Sequence, residues 1–142
     1  MPWLRCCAMP AAIQRTFLND AGTGKAAVPK PKLSLGPIAH NAVRIGGTAS
    51  EICVTEGLED AMSLRQMLLM PAWAACGAGV MKTLQFPSQV RSVVIGADDD
   101  EAGQNAAHEA ADAFVARGLE VRILRPLEGF KDFNAELMAR KL

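Results

Sequence analysis

Acidic residues follow two strand-like segments of the chain, and carboxylates in such places can bind divalent cations. Glu56 comes directly after a short apolar run at residues 52–55. Asp98 and Asp100 follow the uniformly apolar run 92–97, and their spacing of two points both carboxylates to the same side of an extended backbone. If the two runs are neighbouring strands of one sheet, the three carboxylates converge at one edge of it.

Carboxylates clustered at a sheet edge favour metal-dependent chemistry on phosphates. Like charges raise one another's pKa values, and a hard divalent cation relieves that repulsion. Mg²⁺ is commonly held by one or two carboxylates, while water and substrate phosphates complete its shell. The bound metal can polarise a phosphoryl oxygen and activate a hydroxyl group or a water molecule. The pattern therefore predicts a site for phosphoryl transfer.

Helix capping is the alternative explanation for the same acids. Asp is a favoured N-cap residue, and acids in a first helical turn complement the helix dipole. Capping suffices for a lone acidic helix start. It explains less well a strand followed by Glu56 and Gly57 together with a later strand followed by Asp98 and Asp100. The joint pattern favours a metal site.

The apolar periodicity predicts alternating strands and helices from residue 51 onward. The predicted strands cover residues 52–55, 72–76, 92–97 and 119–124, and the predicted helices cover 58–70, 101–117 and 135–141. This order predicts an α/β fold, a Rossmann-like parallel sheet of about four strands flanked by helices. Ligands of such sheets bind outside the carboxyl ends of the strands, which is where the acids lie.

The first fifty residues have a different character. They contain six Lys or Arg residues and a single acid, Asp20, whereas the rest of the chain has nine basic and fourteen acidic residues. A strand-like stretch at 13–18 and a turn at 19–22 predict a small β-hairpin, followed by an irregular Pro-Lys segment at 28–37. We therefore predict a basic N-terminal β-hairpin or arm segment, residues 1–50, and an α/β domain, residues 51–142. Such an arm suits contact with phosphates, although a solvated flexible arm has the same composition.

Composition excludes several other classes of protein. The chain has 142 residues, which suits one main domain with a real core. No apolar run is long enough to predict a membrane span. The four cysteines show no C-x-x-C spacing, so a zinc ribbon is excluded, and a reduced, cytoplasmic location is expected.

Three segments resemble the motifs of the Toprim family. Residues 54–61 resemble its first motif, a Glu-Gly turn after a strand, and residues 95–103 resemble its second, Asp-x-Asp with Gly three residues on. Residues 129–134 resemble the Gly-Lys-Asp-x-Asn segment of the primase-type members, with Phe130 inserted between Gly and Lys. Short stretches at 15–18, 22–26 and 42–44 are similar to what precedes the domain in phage and plasmid primase-helicase proteins.

The resemblance implies a role for each matching residue. Asp98 and Asp100 would hold Mg²⁺, with Mn²⁺ as a substitute, and Glu56 would act as general acid or base or as a further metal ligand. Asp99 and Glu101 would be caps or outer charges. The residues expected near the nucleotide or other phosphates are Lys131, Asp132, Lys25 and Arg44.

The implied activity is that of the primer-synthesising nucleotidyltransferase domain of a phage- or plasmid-type primase. The chain has no tyrosine, so it cannot be a complete topoisomerase of this family. A Toprim nuclease and a non-catalytic nucleic-acid-binding module stay open as alternatives, because the same acids suit them. The expected partners are single-stranded DNA template, nucleotides and a helicase domain or subunit on another chain, with no membrane. We also expect the chain to be a fragment or remnant, beginning partway through the usual upstream region.

Overall fold

The computed structural model describes residues 10–140, which divide into two compact units, 10–38 and 39–140. In the first unit, β1 (Ile13–Thr16) pairs antiparallel with β2 (Lys32–Leu35). The predicted turn is present, because the amide of Gly22 donates to the carbonyl of Asn19 over 2.9 Å. The N-terminal β-hairpin is thus confirmed.

The prediction that residues 28–37 are irregular was wrong, because they contain β2. The two prolines before this strand obscured it in the sequence. Pro31 lacks an amide hydrogen, but its carbonyl accepts a hydrogen bond of 2.8 Å from the amide of Phe17. A proline just outside a short strand therefore does not prevent pairing.

The second unit is an α/β layer structure around one five-stranded sheet. Its strands are β3 (Val43–Ile45), β4 (Glu51–Thr55), β5 (Ala72–Ala74), β6 (Ser92–Gly96) and β7 (Glu120–Leu124). Its helices are α1 (Leu58–Leu68), α2 (Ala78–Met81), α3 (Glu101–Val115) and α4 (Phe133–Arg140). The strand order is β3-β5-β4-β6-β7, and β3 is antiparallel to β5 while the other pairs are parallel. The predicted fold is confirmed, and the edge strand β3, which is antiparallel, precedes residue 50.

The helix ends differ from their predicted positions for local reasons. α1 ends at Leu68 because Leu69 takes a left-handed conformation, with φ 56°, and its amide caps the carbonyl of Arg65. α4 begins two residues earlier than predicted, because Asp132 lies directly before it and its side chain accepts from the amide of Ala135. The predicted last residue of that helix, Lys141, lies outside the described residues.

The core lies on both faces of the two central strands. β4 and β6 are buried over four of their five residues each, as their uniformly apolar sequences predicted. One face is covered by α3 with Phe114, and the other by α1 and α4 with Leu64 and Phe133. The loops at the carboxyl ends of these strands therefore start from a buried, hydrogen-bonded part of the sheet. None of the helices within residues 10–140 is long and apolar enough to cross a membrane.

Candidate functional site

The two acidic segments leave the sheet side by side. β4 and β6 are parallel neighbours, and Thr55, the last residue of β4, lies opposite Gly96, the last residue of β6. Glu56 and the loop containing Asp98 and Asp100 therefore begin at the same edge of the sheet. The condition on which the predicted convergence depended is fulfilled.

The turn after β4 is held by hydrogen bonds from the segment that follows β5 and from the last residue of β4. The amide of Cys76 donates to the carbonyl of Glu56 over 2.9 Å, and the Thr55 hydroxyl donates to the carbonyl of Gly57 over 2.8 Å. Gly57 is the N-cap residue of α1. These bonds fix the backbone of Glu56, whose half-buried side chain starts from a defined position.

The loop after β6 combines a helix cap with a close approach of two backbone segments. The Asp100 carboxylate accepts a hydrogen bond of 2.7 Å from the amide of Gly103 and thereby caps α3, as the alternative explanation anticipated. The Gln104 side chain donates to the carbonyl of Asp98 over 2.8 Å. A Cβ atom on Gly103 would lie 2.9 Å from the Cβ atom of Asp98. The glycine of this motif is therefore required by the space that Asp98 occupies. The cap uses Oδ1 of Asp100.

Asp98 lies among the other carboxylates at this edge of the sheet, and their charges affect its ionisation. Its pKa is raised from 3.8 to about 6, first because the half-buried carboxyl is partly desolvated. The remaining causes are the negative charges of Asp60, Glu56, Asp132 and Asp100, in that order. Four carboxylates, from the segments 56–60, 98–100 and the residue before α4, thus lie close enough to oppose the ionisation of Asp98. A cation would reverse the sign of this effect.

The segment after β7 joins the same edge. The amide of Asp99 donates to the carbonyl of Lys131 over 2.9 Å. The Asp132 carboxylate lies 3.5 Å from the Lys131 ammonium, whose side chain is 84% exposed. Phe130, the insertion relative to the family motif, is taken up in a turn in which its amide donates to the carbonyl of Leu127. The insertion does not displace Lys131 and Asp132 from the acidic loop.

Asp60 is the residue that the sequence analysis missed. It is a buried residue of α1, and its Oδ1 accepts a hydrogen bond of 3.1 Å from the amide of Asn134. Burial raises its pKa, and it is the charged neighbour with the largest effect on Asp98. The available signal was its place in the first turn of the helix that directly follows Glu56 and Gly57, at the edge of the sheet where ligands are expected to bind.

The other candidate residues belong to several different elements of the chain. Arg44 is on the edge strand β3, where its guanidinium lies 4.3 Å from the centre of the Trp73 ring. Lys25 is in the first unit, opposite Leu18 in an isolated bridge. Asp99 and Glu101 are exposed beside the acidic loop. Within the second unit the structure therefore gathers Glu56, Asp98, Asp100, Lys131 and Asp132 at one edge of the sheet, and Arg44 lies on the edge strand β3.

The donor chemistry of the edge fits Mg²⁺. Its side chains are carboxylates, the hard oxygen ligands that this ion prefers. Within residues 10–140 no three His, Cys, Asp or Glu side chains form a ready-made metal cage. Mg²⁺ needs only one or two carboxylates when water and phosphates complete its shell. The arrangement thus suits a metal bound together with a phosphate-bearing substrate.

Two family models match the chain. One, described as a Toprim domain, matches residues 51–141, and the other, a domain of unknown function (DUF7146), matches residues 7–45. Among curated protein sequences none matches at a significant level.

Two solved structures share the fold. A DNA primase domain from Pseudomonas aeruginosa is 20% identical, with a TM-score of 0.59 over 93% of this chain and 48% of that one. The primase fragment of the bacteriophage T7 primase-helicase protein is also 20% identical, with a TM-score of 0.61 over 91% of this chain and 58% of that one. The chain therefore spans about half the length of these two structures.

Proposed function

The chain belongs to the Toprim domain family, and on that premise we propose that it joins nucleotides into primers on single-stranded DNA by Mg²⁺-dependent phosphoryl transfer. The family match supports a function connected with nucleic acid. The observation that carries the proposal is Asp98, whose ionisation is opposed by four other carboxylates at one edge of the sheet. Such an environment is unfavourable in the free protein and is relieved by a cation.

Asp98 and Asp100 are the proposed holders of the metal. Toprim domains generally bind Mg²⁺, and Mn²⁺ is the expected substitute. When bound, the ion would polarise a phosphoryl oxygen and offset the charge of the transferring group. Asp100 would serve through the oxygen that does not cap α3, since Oδ1 accepts from Gly103.

Glu56 is the proposed general base. Its carboxylate takes the proton from the 3′-hydroxyl of the growing strand while that oxygen bonds to the α-phosphorus of the incoming nucleotide. The bond to the bridging oxygen breaks, and pyrophosphate leaves. The fixed backbone of Glu56 supports this role, because a general base must stand within hydrogen-bond reach of the proton it removes.

Basic side chains are the proposed contacts to nucleotide and template. Lys131 is exposed beside the acidic loop and would bind the phosphates of the nucleotide, with Asp132 orienting its ammonium at 3.5 Å. Lys25 and Arg44 would contact phosphates of the DNA backbone. The T7 neighbour is named as part of a primase-helicase protein, which supports a helicase domain or subunit as partner. We place the reaction in the cytoplasm, away from membranes, as in a phage- or plasmid-type primase.

Template-dependent oligonucleotide synthesis tests the proposal. The wild-type chain, Asp98→Asn and the control Asp112→Asn are compared with labelled nucleotides across a Mg²⁺ titration. Asp112 is an exposed acid of α3, so the control makes the same change of charge away from the edge. We expect Asp98→Asn to reduce synthesis by more than about 100-fold, and the control to leave it unchanged.

Other outcomes would assign another function. Strand cleavage that depends on Asp98, without synthesis, would identify a nuclease using the same carboxylates. Saturable Mg²⁺ binding without either reaction would identify a non-catalytic module. Equal metal binding by the wild type and Asp98→Asn would overturn the proposed metal site.

A further inference from the structure

The start of α4 is capped by two carboxylates, one local and one distant in the chain. The first amides of a helix have no partner within it. Asp132, directly before α4, accepts from the amide of Ala135 over 2.7 Å. Asp60, on α1, accepts from the amide of Asn134 over 3.1 Å. The amides of Asn134 and Ala135, in the first turn of α4, therefore both have carboxylate partners.

We propose that Asp60 is a positioning residue, which holds the start of α4 and thereby keeps Lys131 and Asp132 beside the Asp98–Asp100 loop. The inference rests on the proposed function, because Lys131 and Asp132 are the residues that would meet the nucleotide. It assigns to Asp60 a role that requires an oxygen acceptor at its position, not a negative charge.

The contacts on either side of Asp60 support this chain of effects. The carbonyl of Lys131 accepts from the amide of Asp99, so the segment before α4 is joined directly to the acidic loop. Phe133, the first residue of α4, is buried, and its ring would lie 3.1 Å from a Cβ atom on Gly96 at the end of β6. A start of α4 released from Asp60 would therefore shift Lys131 relative to Asp98.

Burial makes the hydrogen bond from Asn134 hard to replace. Asp60 is 9% exposed and its hydrogen bond from the Asn134 amide is half-buried, although Asn134 is itself an exposed residue. A buried donor without a partner costs more free energy than an exposed one. Asp60→Ala would leave that amide unpaired, whereas Asp60→Asn keeps an acceptor oxygen of the same shape and removes only the charge.

Hydrogen exchange and steady-state kinetics of the full chain test the inference together. The amide of Asn134 is followed by NMR, and the KM for nucleotide and kcat are measured for the wild type, Asp60→Ala, Asp60→Asn and the control Asp112→Asn. For Asp60→Ala we expect exchange at Asn134 to be about 10- to 100-fold faster and the KM for nucleotide to rise about tenfold. Asp60→Asn is expected to restore both to within about threefold of the wild type.

The outcomes separate this inference from the proposed function. If Asp60→Asn abolishes synthesis and Mg²⁺ binding while Asn134 stays protected, the charge of Asp60 is what matters and the inference is overturned. Unchanged exchange at Asn134 in Asp60→Ala would also overturn it. If Asp60→Ala does not fold, a protected Asn134 and an unchanged KM in Asp60→Asn still support the positioning role. Should the wild type make no primers, the proposed function fails, and the exchange data still decide whether Asp60 holds α4.

Discussion

Replacing Asp98 by Asn should stabilise the metal-free protein at neutral pH. The Asp98 carboxyl resists ionisation because it is partly desolvated and surrounded by the charges of Asp60, Glu56, Asp132 and Asp100. In the folded protein it must nevertheless ionise at pH 7, at a cost that the unfolded chain does not have. The amide of Asn has nearly the same shape and no charge, so the variant avoids that cost.

The size of this stabilisation, and the pH range over which it develops, follow from the change in the pKa of Asp98 on folding. Because its pKa rises from 3.8 to about 6 on folding, the folded state holds more protons than the unfolded state between these values. The free energy of unfolding therefore falls as pH rises through this window, and the loss is complete above it. The full change corresponds to about 3 kcal/mol. Solvent screening of a half-exposed carboxyl reduces it to about 1–2 kcal/mol.

Urea unfolding with a chelator, at pH 4, 5, 6 and 7.5, measures the effect. We expect Asp98→Asn and the wild type to be equally stable near pH 4, with the variant more stable by about 1–2 kcal/mol at pH 7.5. Mg²⁺ should then stabilise the wild type, since a ligand that binds only the folded state raises its stability, and should leave the variant nearly unchanged. Asp112→Asn serves as the control, because this exposed acid of α3 should change stability by less than about 0.5 kcal/mol.

Two results would refute the reasoning. A difference in stability between Asp98→Asn and the wild type that is the same at pH 4 and pH 7.5 would mean that the charge of Asp98 is not its cause. A variant less stable than the wild type at pH 7.5 would mean that the carboxylate makes favourable contacts in the folded protein that outweigh repulsion and desolvation.

Two further substitutions test the geometry around the edge. Gly96→Ala should lower stability by about 1–3 kcal/mol in thermal unfolding, because the added Cβ atom would lie 2.5 Å from the Leu64 side chain. Gly79→Ala is the control and should be nearly neutral, because nothing lies within 4 Å of its added Cβ atom. Equal losses of stability in the two variants would contradict the packing argument. Asp100→Ala should cost about 1 kcal/mol through loss of the cap on Gly103, and Asp100→Ser should recover that stability without recovering Mg²⁺ affinity in calorimetry. Recovery of both by Ser would show that Asp100 serves only as a cap.

Much of the fold was readable from local patterns in the sequence. The unbroken apolar runs that became β4 and β6 predicted buried parallel strands, because side chains on both faces of such strands must avoid water. The acids after those runs indicated the edge where a site would form. Local patterns failed at β2, which lies among prolines, and misplaced the start of α4 by two residues, at 135 instead of Phe133.

The sequence by itself determined most strands and helices of the second unit and the acids that follow β4 and β6, since helical periodicity, caps and turns depend on residues only a few positions apart. Only the tertiary structure decided that β4 lies next to β6, that Asp60 meets Asn134 across 74 residues, and that Arg44 lies over Trp73 away from the acids. It also decided the electrostatics, because the pKa of Asp98 depends on burial and on charges from separate segments. Such quantities arise from distances between parts of the chain that are remote in sequence, and no local pattern contains them.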